Sequence, residues 1–160
     1  MKITAQGFND LKNEEGFRGK PYKCAAGKWT VGFGTRIGDT EVEKYTKFPM
    51  SRQEAEQRAI KKCDDICVFL QKNVSVALAP HQVDALILFI YNIGETAFKG
   101  STLLRKLNNR SFNAAALEFG RWVHDDHGNV IEGLVSRRQR EAKRFMTPYQ
   151  PVMPPKEEKK

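Results

Sequence analysis

The chain has 160 residues, 40% of them hydrophobic and 29% charged, with lysine and arginine outnumbering aspartate and glutamate 27 to 19 for a formal charge of +8. That length and balance point to one compact domain and exclude a low-complexity, collagen-like or intrinsically disordered chain. The excess of positive charge favours a polyanionic partner, such as nucleic acid, a membrane surface or a bacterial envelope, without choosing among them. The first thirty residues hold no apolar core of signal-peptide length, and the longest apolar run, Ala85 to Tyr91, is far short of the ~20 residues a membrane span needs. No stable membrane insertion is expected, and the protein is expected to stay in the cytoplasm where it is made unless something releases it. Three cysteines, Cys24, Cys63 and Cys67, make an odd count without an export signal, so a disulfide framework is not expected. Cys63 and Cys67 lie one helical turn apart, but no histidine or third cysteine accompanies them, and they read as small buried hydrophobes.

In chain order, Phe8, Leu11 and Glu15 recur at helical spacing, and Gly16 ends that helix, leaving Glu15 on the same face as two core residues. From Lys20 to Thr35, Tyr22, Trp29, Val31 and Phe33 alternate with smaller residues around Ala25-Ala26-Gly27-Lys28, as in a hairpin. Loop or strand is expected to continue to Met50. Ser51 followed by Glu54 forms a capping box, and Ala55, Ala59, Cys63, Ile66, Cys67 and Leu70 make one apolar stripe to about Asn73, which predicts a long helix. Pro80 suits a first helical position, and Val83 to Ile93 is apolar nearly all round before Gly94, as in a helix at a core centre. Shorter helices are expected over Ser101 to Asn109 and Ser111 to Trp122, a polar turn over His124 to Asn129, and a strongly basic helix from Leu134 to Met146. Pro148, Pro151, Pro154 and Pro155 with a charged end predict a flexible tail.

The stretch richest in chemistry runs Glu15-Gly16-Phe17-Arg18, then Tyr22-Lys23-Cys24, then Gly27-Lys28-Trp29-Thr30-Val31-Gly32-Phe33-Gly34. Glutamate, eight residues, cysteine, five residues and threonine is the spacing by which this chain resembles the phage lysozymes of glycoside hydrolase family 24. Ala85-Leu86 to Asn92-Ile93-Gly94, Gly100-Ser101-Thr102-Leu103-Leu104 and Gly133-Leu134-Val135-Ser136-Arg137-Arg138 resemble further family segments in family order, so the likeness covers residues 1 to about 146. The resemblance implies that Glu15, Cys24 and Thr30 are catalytic, that Arg137 approaches the glutamate from the last helix, and that Asn92 lies near the cleft.

Elementary chemistry agrees for Glu15. A carboxyl at a helix C-terminus faces the negative end of the helix dipole, and apolar Phe8, Leu11 and Phe17 nearby also disfavour its ionised form. A neutral acid there can protonate a glycosidic oxygen while the sugar becomes oxocarbenium-like. Without the motif, an ordinary solvated glutamate is the plainer reading. Arg137 would orient Glu15 while opposing that effect; its neighbours Arg138, Arg140, Lys143 and Arg144 read as a solvated basic face. An ordinary thiol is only about 3% ionised at pH 7, so Cys24 has three open roles: positioning water, acting as a thiolate base, or forming a covalent intermediate. Thr30 alternates with Trp29 and Val31, so its hydroxyl is expected on the opposite, cleft-facing side, able to hold an attacking water. Thr35 departs from the histidine frequent after the family's Gly-x-Gly. Asn92 equally suits a helix cap, and His124 and His127 sit in a turn that needs no metal.

These readings together predict an α+β, mostly helical, lysozyme-like fold: a catalytic domain over 1–146, comprising a small β-containing lobe over about 13–50, a connecting helix over about 51–73 and a helical lobe over about 74–146, followed by a tail over 147–160. The resemblance implies hydrolysis of the β-1,4 bond after N-acetylmuramic acid in peptidoglycan by a monomer needing no cofactor and no metal, leading to host cell lysis. Peptidoglycan strands and the anionic envelope are the expected partners, with a separate membrane-disrupting protein releasing the enzyme from the host cytoplasm. The rivals are a peptidoglycan-binding module that has lost turnover and a basic nucleic-acid-binding protein; no nucleic-acid recognition motif supports the latter.

Overall fold

The structure, a computed structural model, describes residues 1–151. It is an α+β fold dominated by helices. Helix α1 (Ala5–Glu15) starts at Thr4, whose hydroxyl accepts from the Gly7 N–H, and stops at Gly16, which takes φ 66°. Strands β1 (Arg18–Lys23), β2 (Trp29–Gly32) and β3 (Thr35–Arg36) form an antiparallel sheet in sequence order. In its register Tyr22 faces Thr30 and Thr30 faces Arg36.

The remaining elements are α2 (Asp39–Lys47), α3 (Arg52–Asn73), α4 (Pro80–Ile93), α5 (Glu95–Lys99), α6 (Thr102–Asn108), α7 (Phe112–Glu118), a 3₁₀ turn (Phe119–Arg121) and α8 (Glu132–Met146). The stretch expected to be loop or strand up to Met50 is therefore corrected: it holds α2. Asp39 and Glu41 in its first turn and Lys44 and Lys47 in its last complement the helix dipole, while Tyr45 is its buried anchor. The short α5 was also not anticipated, and the helix expected to run to Trp122 tightens into the 3₁₀ turn after Glu118. Helix α3 begins as expected, with the Ser51 hydroxyl accepting from the Glu54 N–H at 3.1 Å.

Helix α3 is shared between two apolar clusters. Its first half contributes Ala55 and Ala59 to a small one with Val31, Phe33, Tyr45 and Met50. Its second half contributes Cys63, Ile66, Cys67 and Leu70 to a larger one built around α4, with Phe98, Leu107, Phe119 and Phe145. Nine consecutive buried positions of α4, Val83 to Tyr91, with His81 just before them, reflect its place at the centre of that cluster.

The N-terminal end of α1 is tied to α4 by Asp84, fully buried, which accepts from the Thr4 N–H at 2.9 Å and from the Thr4 hydroxyl. Tyr149, within the segment expected to be a free tail, donates to the same carboxylate at 2.6 Å and packs edge-on against His81. The tail expectation for 152–160 lies outside the described residues.

Candidate active site

The end of α1 delivers Glu15 between the sheet and the helical cluster. Its side chain is 15% exposed, and Oε1 lies 2.9 Å from Nη1 of Arg137, itself 8% exposed in its side chain. That contact is an ion pair off the N–H direction, so the buried Oε1 has no well-aligned hydrogen bond. The other oxygen, Oε2, lies against the turn after β2: a Cβ built on Gly34, at φ 72°, would fall 2.6 Å from it. Only a residue without a side chain lets that backbone approach the carboxyl so closely.

Arg137 is positioned by donating to the Leu88 carbonyl at 2.9 Å and to Glu141 at 3.1 Å. Glu141 is buried between Arg137 and Arg138, so its two oxygens are satisfied by two guanidinium groups. The expectation of a solvated face is corrected for Arg138, which is 1% exposed, donates to the Trp122 carbonyl at 2.9 Å and reaches Asn92 Oδ1. Asn92 is exposed at the end of α4, joined to Glu15 only through this arginine network. Arg140 and Arg144 pair with Glu14 and Asp10 of α1, each at 2.5 Å. Periodicity gave no sign of these partners, which come from the other end of the chain.

Cys24 begins the turn between β1 and β2 and is partly exposed. Desolvation pushes its thiol up, but the Lys28 and Ala26 backbone N–H groups, the Thr30 hydroxyl and the Arg36 charge together outweigh it, and the net effect lowers the thiol below its ordinary value. Thr30 is 3% exposed, and its hydroxyl donates to the Lys28 carbonyl at 2.9 Å. The hydroxyl was expected on an open cleft side; it is instead covered and turned along the hairpin beside Cys24. Trp29 to Gly32 is covered on both faces, which removes the simple inside-outside alternation that expectation relied on.

Two tyrosines to which the sequence reading gave no role stand near these groups. The Tyr22 phenol is raised by burial and then by the Glu15 charge, with a smaller push from Cys24, so it stands within electrostatic reach of both. Tyr91, 5% exposed, donates from α4 to the Phe33 carbonyl at 2.5 Å and so joins the helical cluster to the turn that touches Glu15. Its placement as the last aromatic of the apolar α4 run was the only available signal.

A recess of about 510 Å³ lies nearby between α1 and α8, lined by Asp10, Asn13, Glu14, Arg140, Lys143 and Arg144. It excludes Glu15, and four of its charged groups already pair with one another. Among the described residues there is no cluster of metal-ligating side chains and no helix long and apolar enough to cross a membrane.

A carboxyl at the end of a first helix, set against the turn of a small antiparallel sheet and an arginine from the last helix, is an arrangement suited to the acid chemistry of a glycoside hydrolase. The Phage lysozyme family model matches residues 12–141, and the chain belongs to that family. It is 34% identical over 152 residues to an endolysin of Acyrthosiphon pisum secondary endosymbiont phage 1, covering 91% of this chain and 98% of that protein. It is 35% identical over 150 residues to the endolysin of Salmonella phage P22, covering 92% and 99%. A crystal structure of a P22 lysozyme mutant superposes with a TM-score of 0.76 at 30% identity, covering 92% of this chain and 99% of that one. The muramidase domain of SpmX from Asticaccaulis excentricus gives a TM-score of 0.78 at 28% identity, with the same coverage.

Proposed function

We propose that this chain is an endolysin whose Glu15 donates the proton that breaks the β-1,4 bond after N-acetylmuramic acid. Family membership makes it a peptidoglycan-hydrolysing lysozyme. The observation that carries the residue assignment is the Glu15 carboxyl itself, held between Arg137 and the Gly34 backbone with its side chain still 15% exposed.

In the proposed step the Glu15 proton passes to the bridging oxygen as the bond from that oxygen to C1 of the muramic acid breaks. Positive charge spreads over C1 and the ring oxygen, and the carboxylate left on Glu15 opposes it across the site. Water then adds to C1 and gives up a proton. Cys24 accepts that proton as a thiolate, and Thr30, whose hydroxyl is covered beside it, positions the sulfur. The lowered thiol pKa supports a base here, because it enlarges the thiolate fraction at neutral pH. Solvent returns both groups to their starting protonation states. Arg137 orients Glu15, and Asn92, reached through Arg138, borders the substrate path.

The +8 charge favours approach to the anionic envelope. On this reading the protein is a monomer that needs no cofactor and no nucleic acid, and it accumulates in the host cytoplasm until a separate membrane-disrupting protein gives it access to the wall.

The test is digestion of purified murein followed by mass analysis of the borohydride-reduced products. Reduced N-acetylmuramic acid at the new ends is expected. Cys24→Asp should retain turnover and Cys24→Ala should lose most of it; full turnover by Cys24→Ala removes the thiolate base. Binding to murein with no new reducing ends would leave only the non-catalytic wall-binding alternative.

A further inference from the structure

Lys62, on α3, has no part in the chemistry described above, yet its ammonium packs on Tyr91 and lies within electrostatic reach of Glu15. Its Nζ lies 3.8 Å from the centre of the Tyr91 ring and donates to the Tyr91 carbonyl at 3.2 Å. The Tyr91 hydroxyl in turn holds the Phe33 carbonyl at 2.5 Å. The next residue, Gly34, is the one whose backbone crowds Glu15 Oε2, and its missing Cβ would also lie 3.6 Å from Tyr91 Cε1. Contacts therefore run without a break from Lys62 through Tyr91 and the Phe33–Gly34 turn to the Glu15 carboxyl.

Burying a lysine is costly, and burial pushes this ammonium's pKa down. The groups that face it are Glu15 from α1, which favours the charged form, Arg36 from β3 and Arg137 from α8, which oppose it, Cys63 on its own helix, and the Tyr91 ring and carbonyl from α4. Desolvation and the two arginines disfavour a cation there, and the Tyr91 ring face and the nearby Glu15 carboxyl offset part of that cost.

We propose that Lys62 is a positioning residue for Glu15: it pins Tyr91, which fixes the Phe33–Gly34 turn against the carboxyl. The proposal rests on the reading of Glu15 as proton donor. Catalytic geometry is sensitive to such support, since a displacement of about 1 Å can cost on the order of a hundredfold in rate.

The experiment compares wild type, Lys62→Met, Lys62→Arg, Tyr91→Phe, the Lys62→Met/Tyr91→Phe double variant and Glu15→Gln. Reducing ends released from soluble glycan strands prepared from murein give kcat and KM, and thermal unfolding is followed in parallel. Lys62→Met should lower kcat by roughly ten- to a hundredfold with KM changed less than about threefold, and Lys62→Arg should recover part of the loss. The double variant should be little worse than the more damaged single variant, because both act through one path. Should Lys62→Met not fold, Tyr91→Phe, which removes one hydroxyl, carries the same expectation of lost kcat with KM retained. An unchanged kcat in Lys62→Met or Tyr91→Phe, or fully additive losses in the double variant, overturns the proposal. Activity retained by Glu15→Gln would instead sink the reading on which it rests, whereas an inactive Glu15→Gln beside a fully active Lys62→Met refutes the role of Lys62 alone.

Discussion

Glu15 is defined by what crowds it rather than by what bonds to it. One oxygen meets an arginine off-axis, and the other meets a glycine backbone that leaves no room for a methyl group. Gly34→Ala should therefore act on the carboxyl before it acts on the fold: the new Cβ would overlap Oε2, and φ 72° adds strain of roughly 1–2 kcal/mol for a residue with a side chain. Turnover is expected to fall at least tenfold while the protein still unfolds cooperatively; a fully active Gly34→Ala contradicts the placement of Glu15. For Cys24, hydrogen bonds and the Arg36 charge outweigh desolvation, so alkylation by iodoacetamide should titrate at lower pH than that of an unfolded thiol. Coincident alkylation profiles for folded and unfolded protein would contradict that balance. Glu15, Cys24 and Thr30 could be singled out from the sequence, as residues whose catalytic roles are proposed, because one helix end and one hairpin carry all three at fixed spacing. Tyr91, Lys62 and Arg138 were not, because their partners lie tens of residues away and an apolar or basic run conceals which member turns toward the site.

At the scale of elements, α8 is the piece that periodicity misjudged most. Arg138, Arg140 and Arg144 read as a solvated face, yet Arg138 is buried with Arg137 around Glu141, and Arg140 and Arg144 close onto α1. The Arg140 hydrogen bond, the largest influence on Glu14, holds that carboxyl below its ordinary range. A carboxylate whose folded pKa is depressed adds stability above its unfolded pKa of about 4.3 and loses it as pH falls through the lower folded value. The stability advantage of wild type over Glu14→Gln should thus be full near neutral pH and shrink in acid. An advantage equal at about pH 3 and pH 7 would mean that the pair across α1 and α8 contributes nothing. Helix α3, by contrast, was readable to within a residue of its start, because its cap and its apolar stripe are local signals. Helix α2 was missed because a nine-residue segment with one buried anchor shows too little periodicity to separate from loop.

For the molecule as a whole, the sequence pointed to a mostly helical α+β chain with a connecting helix between a small β-containing lobe and a helical one, but not to which residues of α3 join which apolar cluster. That division depends on which stretch of one continuous stripe faces which neighbour. The cluster under the sheet rests on few residues, Val31, Phe33, Tyr45, Met50, Ala55 and Ala59, whereas α4 is buried along almost its whole length. Amides of β1, β2 and α2 should exchange through openings of lower free energy than those of α4; equal protection in both would argue for a single indivisible core. The Tyr91 to Phe33 hydrogen bond joins the two clusters beside Glu15, so motion between them would be felt at the carboxyl.

The most direct measurement is reducing-end release from purified murein by Glu15→Gln, a change that keeps the size of the side chain and removes its acid. With folding verified by an unaltered thermal transition, turnover is expected to fall by at least about a hundredfold, the low end of what a positioned general acid contributes, while binding to murein persists. Turnover within a few-fold of wild type would contradict the account.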